Sequence, residues 1–210
     1  MRQIFVIMLS VLLLSPISIQ GQNLSKAIKK EYKAKMKQFK KEKWELYGSS
    51  RTLEVTLAKY YEAMEANPNV REIMGNAARF KSKTVGHQSA INDACRTYAQ
   101  QCGSIVKGRV DSDLASDGLD VNSEFDHFYA AFERLVEKEI QGELQEKFSI
   151  IRQIGSDKDE AIYEMQTYFL VDEDAASKAR IRAYEQALKE SEAAQKMATK
   201  IGDFVKAGFE

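Results

Sequence analysis

The sequence predicts an α+β fold, in which a small antiparallel or mixed sheet is packed by helices, with a lysine-rich helix near the start and a long helix at the end. Three observations lead to it. Apolar residues recur at steps of three and four both early and late in the chain, which is typical of amphipathic helices. Two β-prone runs flank a short polar loop, as in a hairpin. Helical and strand-like runs are mixed rather than strictly alternating, so we expect helices to cover one face of the sheet.

Residues 1–21 have the three parts of a secretory signal peptide. Arg2 supplies a positive charge, an apolar run from Ile4 to Leu14 is interrupted only by Ser10, and Gly21 is a small residue at the exit. The run is shorter than the roughly 20 residues that a permanent span needs. We therefore expect an exported protein of the periplasm or cell envelope, or a secreted one, with no transmembrane anchor after cleavage.

Residues 22–69 are predicted to form two helices. The first, over Asn23–Leu46, is the basic helix, and its apolar residues draw one stripe at helical spacing: Leu24, Ile28, Tyr32, Met36 and Phe39. Ser49 or Ser50 is the expected cap of the second helix. The sequence Asn67-Pro68-Asn69 ends it. Trp44 is expected to anchor the end of the basic helix in the core.

Residues 70–210 are predicted to form the α+β domain. Its expected elements are, in order, a strand at 70–81, a helix at 86–101, a strand at 105–110, an acidic loop at 111–122, an amphipathic helix to Ile140, a hairpin formed by 148–154 and 161–171, and a helix from Asp174 to Ala207. The acidic start of the last helix suits the positive end of the helix dipole.

The two cysteines, Cys95 and Cys102, lie seven residues apart in a segment with helical spacing. That spacing separates their Cα atoms by about 10 Å in a continuous helix, whereas a disulfide needs less than about 7 Å. They can pair only if the helix ends before Cys102. The alternative is two buried thiols that pack as small apolar side chains.

Charge is balanced overall, with 31 basic and 31 acidic residues, which argues against a nucleic-acid partner. It is concentrated locally, because nine lysines and three glutamates fall within residues 26–45. Such a helix can attract lipid headgroups, acidic polysaccharide or an acidic protein partner. The candidate surface-binding residues are Lys29, Lys30, Lys33, Lys37, Lys40 and Lys41. Either the apolar stripe docks on an envelope component or partner, or it packs on the protein's own domain and leaves the lysines solvated.

One acidic stretch partly fits a calcium-binding loop. Asp113, Asp117, Gly118 and Glu124 occupy positions 1, 5, 6 and 12 of that template, but Ala115 at position 3 has no side-chain oxygen. The other interpretation is a solvated acidic loop that caps the next helix. A calcium-stabilised ligand-binding module is therefore an alternative function, and no cofactor is otherwise implied.

Catalytic motifs are absent from the sequence. Neither His87 nor His127 has the spacing of a helical zinc motif, and no nucleophile elbow, P-loop or dinucleotide fingerprint occurs. The prediction is a non-enzymatic protein with a binding or structural role, without catalytic residues. A hydrolase is a third alternative, and it would require acidic side chains that converge in a pocket.

Several blocks of the chain resemble a known group of proteins. They are Ile73-Met-Gly-Asn-Ala-Ala-Arg-Phe80, the alanine-spaced helix 89–99, the hairpin with the C-terminal helix, and Lys-Glu-Lys-Trp44 followed by Tyr47-Gly48-Ser49. The chain resembles, over roughly 26–208, exported uncharacterised proteins of the Bacteroidetes and, more remotely, small α+β envelope lipoproteins of Gram-negative bacteria. The resemblance implies a cell-envelope location. The lipidated cysteine of those lipoproteins has no counterpart here.

Overall fold

The α+β class is confirmed by a computed structural model, which describes residues 24–116, 123–196 and 198–206. Four antiparallel strands form one sheet in the order β1-β3-β4-β2. The elements in chain order are α1 (Lys26–Lys41), β1 (Glu45–Tyr47), α2 (Leu53–Ala66), β2 (Val70–Phe80), α3 (Lys83–Ser116), α4 (Ser123–Ile140), β3 (Gln145–Asp157), β4 (Glu160–Asp172), α5 (Glu173–Ala187), a 3-10 turn (Leu188–Glu190), α6 (Glu192–Lys196) and α7 (Ala198–Lys206). The signal-peptide prediction concerns residues that lie outside the described ranges.

The hairpin of β3 and β4 is the centre of the sheet, as the alternating runs predict. Its strands pair from Gln145 opposite Leu170 to Asp157 opposite Glu160. The turn is the pair Lys158 and Asp159, both with positive φ (49° and 67°), which matches the right-handed twist of the strands. The turn therefore lies beyond Gly155. Gly155 belongs to β3, at the point where the pairing register with β4 shifts between Gln153 and Gly155.

The basic helix ends earlier than predicted and is followed by a strand that the sequence pattern did not reveal. Lys43 has φ 59°, the Trp44 N–H donates to the Phe39 carbonyl (3.0 Å), and the Lys43 N–H donates to the Lys40 carbonyl (3.3 Å). This is the Schellman ending of a helix. The chain then enters β1, whose three residues pair with Ser149–Ile151 and are too few to show a period. Trp44 is buried at this junction, as expected.

The predicted strand at 105–110 is wrong, because these residues continue α3. Cys102, Val106 and Val110 recur every four residues and are almost completely buried among residues of α4 and α5. A short apolar run with loose alternation fits both the two-residue period of a strand and the 3.6-residue period of a helix. In the structure this segment is helical. The first six residues of the predicted acidic loop also belong to α3. The cap of α2 differs as well, since Thr52, not Ser49 or Ser50, accepts a hydrogen bond from the Val55 N–H (3.3 Å).

Helices cover both faces of the sheet, not one. Successive residues of β4 point to opposite sides, so Tyr168 and Leu170 join a core with α1 and α2, while Phe169 and Val171 join a core with α3, α4 and α5. Residues 22–69, predicted as a helical segment before the α+β domain, thus supply one edge strand and one complete helical layer.

Strand β2 approaches α3 unusually closely at Gly75. A Cβ atom at this position would lie 1.8 Å from the Ala90 carbonyl oxygen, so only glycine fits. Ala90 and Ala94, both fully buried, form the facing side of α3. On the outer edge of β2, the Asn76 N–H donates to the Asp93 carboxylate of α3 (2.9 Å).

The long C-terminal helix is confirmed over 173–190, but it does not continue unbroken to Ala207. Its start is capped by the Asp172 carboxylate, which accepts hydrogen bonds from the N–H groups of Asp174 (3.0 Å) and Ala175 (3.4 Å). Ser191 has extended backbone angles and separates the 3-10 turn from α6. Among the described residues, no helix has the length and apolar character needed to cross a membrane.

Candidate functional site

The basic helix forms because local chemistry favours it at both ends. Ser25 caps it, accepting a hydrogen bond from the Ile28 N–H (3.4 Å), and Lys40 and Lys41 lie at the negative end of the helix dipole. Within its 16 residues are eight lysines and one glutamate. Most of its residues are good helix formers, so charge density is reached without loss of helicity.

The apolar stripe of α1 packs on the protein's own core. Met36 and Phe39 are buried with Trp44, and Ile28 and Tyr32 lie partly buried against the same cluster. The first of the two predicted arrangements, a stripe that docks on a partner, is therefore wrong. Because the apolar stripe of α1 packs in the core, the opposite side of this helix faces the solvent.

The candidate lysines lie on that outward side, which we call the lysine face: Lys29, Lys30, Lys33, Lys37, Lys40 and Lys41. Lys29 is half-buried and the other five are exposed. Lys40 forms an ion pair with Glu54 of α2 (Nζ to Oε1, 2.9 Å). The other five have no carboxylate within 4.0 Å among the described residues. The hydrogen bond between Lys40 and Glu54 raises the pKa of Lys40 and lowers that of Glu54.

A groove of about 410 Å³ lies between α1 and the start of α2. It is lined by Lys33, Lys37 and Lys40, by Glu54, and by Tyr32 and Met36. The Tyr32 hydroxyl donates to the Glu54 carbonyl oxygen (3.4 Å). Burial, and then the Glu54 carboxylate, raise the pKa of Tyr32. The groove therefore combines cations with an apolar floor.

A second polar cluster lies near the start of β3, around Glu146 and the first residue that pairs with β1. His87, near the start of α3 as predicted, contacts the Glu146 carboxylate through Nε2 (2.9 Å). The Ser149 hydroxyl donates to the same carboxylate (2.7 Å) and contacts the Thr167 hydroxyl (3.0 Å). Glu146 separates Ser149 from His87, so the histidine does not accept the serine proton.

This cluster borders a cavity of about 210 Å³. Its walls come from Tyr47 at the end of β1, from Ser49 and Arg51 in the β1–α2 connection, and from Glu146 and Lys147 in the neighbouring part of β3. Sequence reasoning identified His87 but missed Glu146, because 59 residues separate the two and no local pattern joins them.

The other sequence-predicted candidates do not meet in a site. His127 is exposed on α4. Cys95 and Cys102 are buried free thiols on one continuous α3, and burial raises their pKa values to about 11 and about 12, so they are not reactive thiolates at neutral pH. In the described part of the chain, no three His, Cys, Asp or Glu residues are grouped to hold a metal ion.

The structure describes only part of the predicted calcium-binding loop. Asp117 lies outside the described residues. The backbone of Asp113 belongs to α3 and that of Glu124 to α4, but their side chains are outside the described part. The calcium loop stays a prediction.

Comparison with known proteins adds no identity to these sites. No protein-family model, no curated protein and no solved structure matches the chain.

Proposed function

We propose that the protein is an exported, non-enzymatic binding protein of the cell envelope or extracellular medium, and that the lysine face attaches it to an anionic component. One observation supports this most strongly. The apolar stripe of α1 is buried in the protein's own core, while five lysines on the outward side are exposed. The cations are therefore presented on a helix whose orientation is held by packing.

The electrostatics favour a surface or polymer as the partner. The 16 residues of α1 span about 24 Å, and four of the five exposed lysines have no carboxylate partner among the described residues. A row of fixed positive charges of this length attracts a repeated negative charge more than a single small ion. Because the whole chain has no net charge, the attraction is local and orients the molecule.

The proposed attachment has a direct test. The lysines of the lysine face are replaced together by glutamine, and epitope-tagged protein is followed through cell fractionation at low and at high salt. Wild-type protein is expected in the envelope pellet at low salt and in the supernatant at high salt, since exposed charges are screened within about 10 Å at 0.1 M salt. The six-glutamine variant is expected in the supernatant in both conditions.

A matched control removes the same charge elsewhere. Lys59, Lys138, Lys158, Lys178, Lys189 and Lys206 are exposed residues outside α1 and have no carboxylate partner among the described residues. Their replacement by glutamine is expected to leave the wild-type distribution unchanged. Retention of the lysine-face variant in the pellet, or wild-type protein that is freely soluble at low salt, would contradict the proposal.

A further inference from the structure

The groove between α1 and α2 contains two cations without a charged partner. Lys40 is engaged by Glu54, whereas Lys33 and Lys37 have no carboxylate within 4.0 Å among the described residues. Lys33 and Lys37 are four residues apart, which places their Cβ atoms about 5–6 Å from each other on one helix face. Their ammonium groups can therefore reach the same carboxylate or phosphate, in charge-assisted hydrogen bonds.

Carbon forms the floor between these cations. Met36 is 6% exposed and belongs to the core, and Tyr32 is half-buried beside it. The Tyr32 hydroxyl already donates to Glu54, so the tyrosine offers a ligand mainly its ring. The lysine side chains add their methylene stems to this surface. The groove, of about 410 Å³, is open to solvent, so a ligand would lie along it and not be enclosed by it.

We infer that this groove binds an anionic amphiphile with a single acyl chain, whose acidic head is held by Lys33 and Lys37 and whose first methylenes lie on Tyr32 and Met36. The inference rests on the proposed function, because both lysines belong to the lysine face. A polyanion without apolar groups would pair with the lysines and leave the apolar surface of the groove in contact with water. An acid attached directly to a hydrocarbon chain uses both.

The length of the groove limits how much of the chain it can hold. Lys33 and Lys40 are separated by a rise of about 10 Å along α1. The head and the first part of an acyl chain fit this distance, and the remainder extends beyond it. Burial of each methylene strengthens binding about four-fold.

The experiment measures binding of dodecanoate, below its micelle concentration, to the mature protein by titration calorimetry. Acetate provides the head without the chain, and dodecyl maltoside provides the chain without the charge. Dodecanoate is expected to bind one to one and at least about 50-fold more tightly than acetate, which corresponds to roughly three buried methylenes. The Met36 methyl resonance is expected to shift with dodecanoate and not with acetate.

Variants distinguish the contribution of the lysines, which bind the acidic head, from that of the Tyr32 ring, which contacts the acyl chain. The pair K33Q and K37Q is expected to weaken dodecanoate binding at least ten-fold, whereas K138Q with K178Q, which removes two exposed lysines outside α1, leaves it unchanged. Tyr32→Phe keeps the ring and is expected to bind like wild type, while Tyr32→Ser is expected to bind more weakly. Equal affinity for dodecanoate and acetate, or an unmoved Met36 resonance, would overturn the inference even if Tyr32→Ser does not fold.

Polyphosphate distinguishes this failure from failure of the proposed function. If polyphosphate binds wild type but not the six-glutamine variant, while dodecanoate does not bind, the groove inference is wrong and the lysine face stands. If neither anion binds wild type, both are wrong.

Discussion

At the scale of single residues, Gly75 decides how closely the sheet and α3 can approach. We expect Gly75→Ala to lower the free energy of unfolding by at least about 2 kcal/mol, because the added Cβ meets backbone rather than a movable side chain. Urea denaturation followed by circular dichroism measures the change. Near-wild-type stability would show that β2 and α3 can separate at no cost.

Gly108 in α3 provides the matched control for that change. It is exposed, and nothing lies within 4 Å of a Cβ placed there. Gly108→Ala is therefore expected to stabilise the protein by about 1 kcal/mol, through the higher helix propensity of alanine. The same substitution is thus expected to have opposite signs at the two glycines, because backbone atoms block the added Cβ at Gly75 whereas helix propensity favours alanine at the open position Gly108.

At the scale of elements, α1 ends in a Schellman motif that lacks the usual glycine. Lys43 occupies the left-handed position that glycine normally takes in a Schellman ending. We expect Lys43→Gly to raise the free energy of unfolding by about 0.5–1 kcal/mol, because a side chain is strained at this φ. Thermal denaturation at fixed pH and salt detects the effect.

Lys37→Gly supplies the comparison, since it makes the same substitution inside the helix. Lys37 is exposed and has helical backbone angles, so glycine there is expected to destabilise the protein by about 1 kcal/mol. If both substitutions shift the melting temperature in the same direction, the proposed strain at Lys43 is contradicted.

Elements were predictable from the sequence where a period was long. The central hairpin and α4 each have enough residues to reveal spacing of two or of three and four, and the start of α5 is indicated by its acidic residues. Segment 105–110 was misassigned because six residues with valine and isoleucine satisfy either period, and only packing of Val106 and Val110 against other helices decides. Strand β1 was missed because its three residues depend on pairing with β3.

The candidate site also has one part that could be predicted from the sequence and another that could not. The density of lysines on α1 is a local property and was visible in the sequence. The groove was not, because Glu54 comes from a second helix and the separation of α1 and α2 depends on packing of both against the sheet. The contact between His87 and Glu146 likewise depends on the tertiary packing that brings the start of α3 close to the start of β3.

At the scale of the whole molecule, groups with raised pKa values are buried in both cores. Burial raises the pKa of Tyr60 on α2 and of Tyr168 on β4 in one core, and of Tyr98 and both cysteines in the core on the other face of the sheet. The unfolded chain loses these protons at lower pH than the folded one does. Because the folded state then binds more protons, stability is retained below pH 9 and falls as pH rises above it.

The thiols allow this dependence to be measured separately. With folded pKa values of about 11 and about 12 against 9.0 for an ordinary thiol, we expect each cysteine to account for a loss of about 1 kcal/mol between pH 7 and pH 10. Urea denaturation at both pH values is compared for wild type and for a variant with Cys95→Ala and Cys102→Ala. An equal loss in both proteins would mean that the thiols do not contribute.

The hydrogen bond from the Asn76 N–H to Asp93 bears on what happens when many copies are brought together. The outer edge of β2 is long, and unpaired edges of this kind are templates on which a second chain adds a strand. Molecules that collect on one anionic surface would be crowded and similarly oriented, which favours such growth. By occupying an outward N–H in the middle of β2, the Asp93 carboxylate interrupts the ladder that a neighbour would need. Helix α3 thus blocks part of the edge at which a second chain would add a strand.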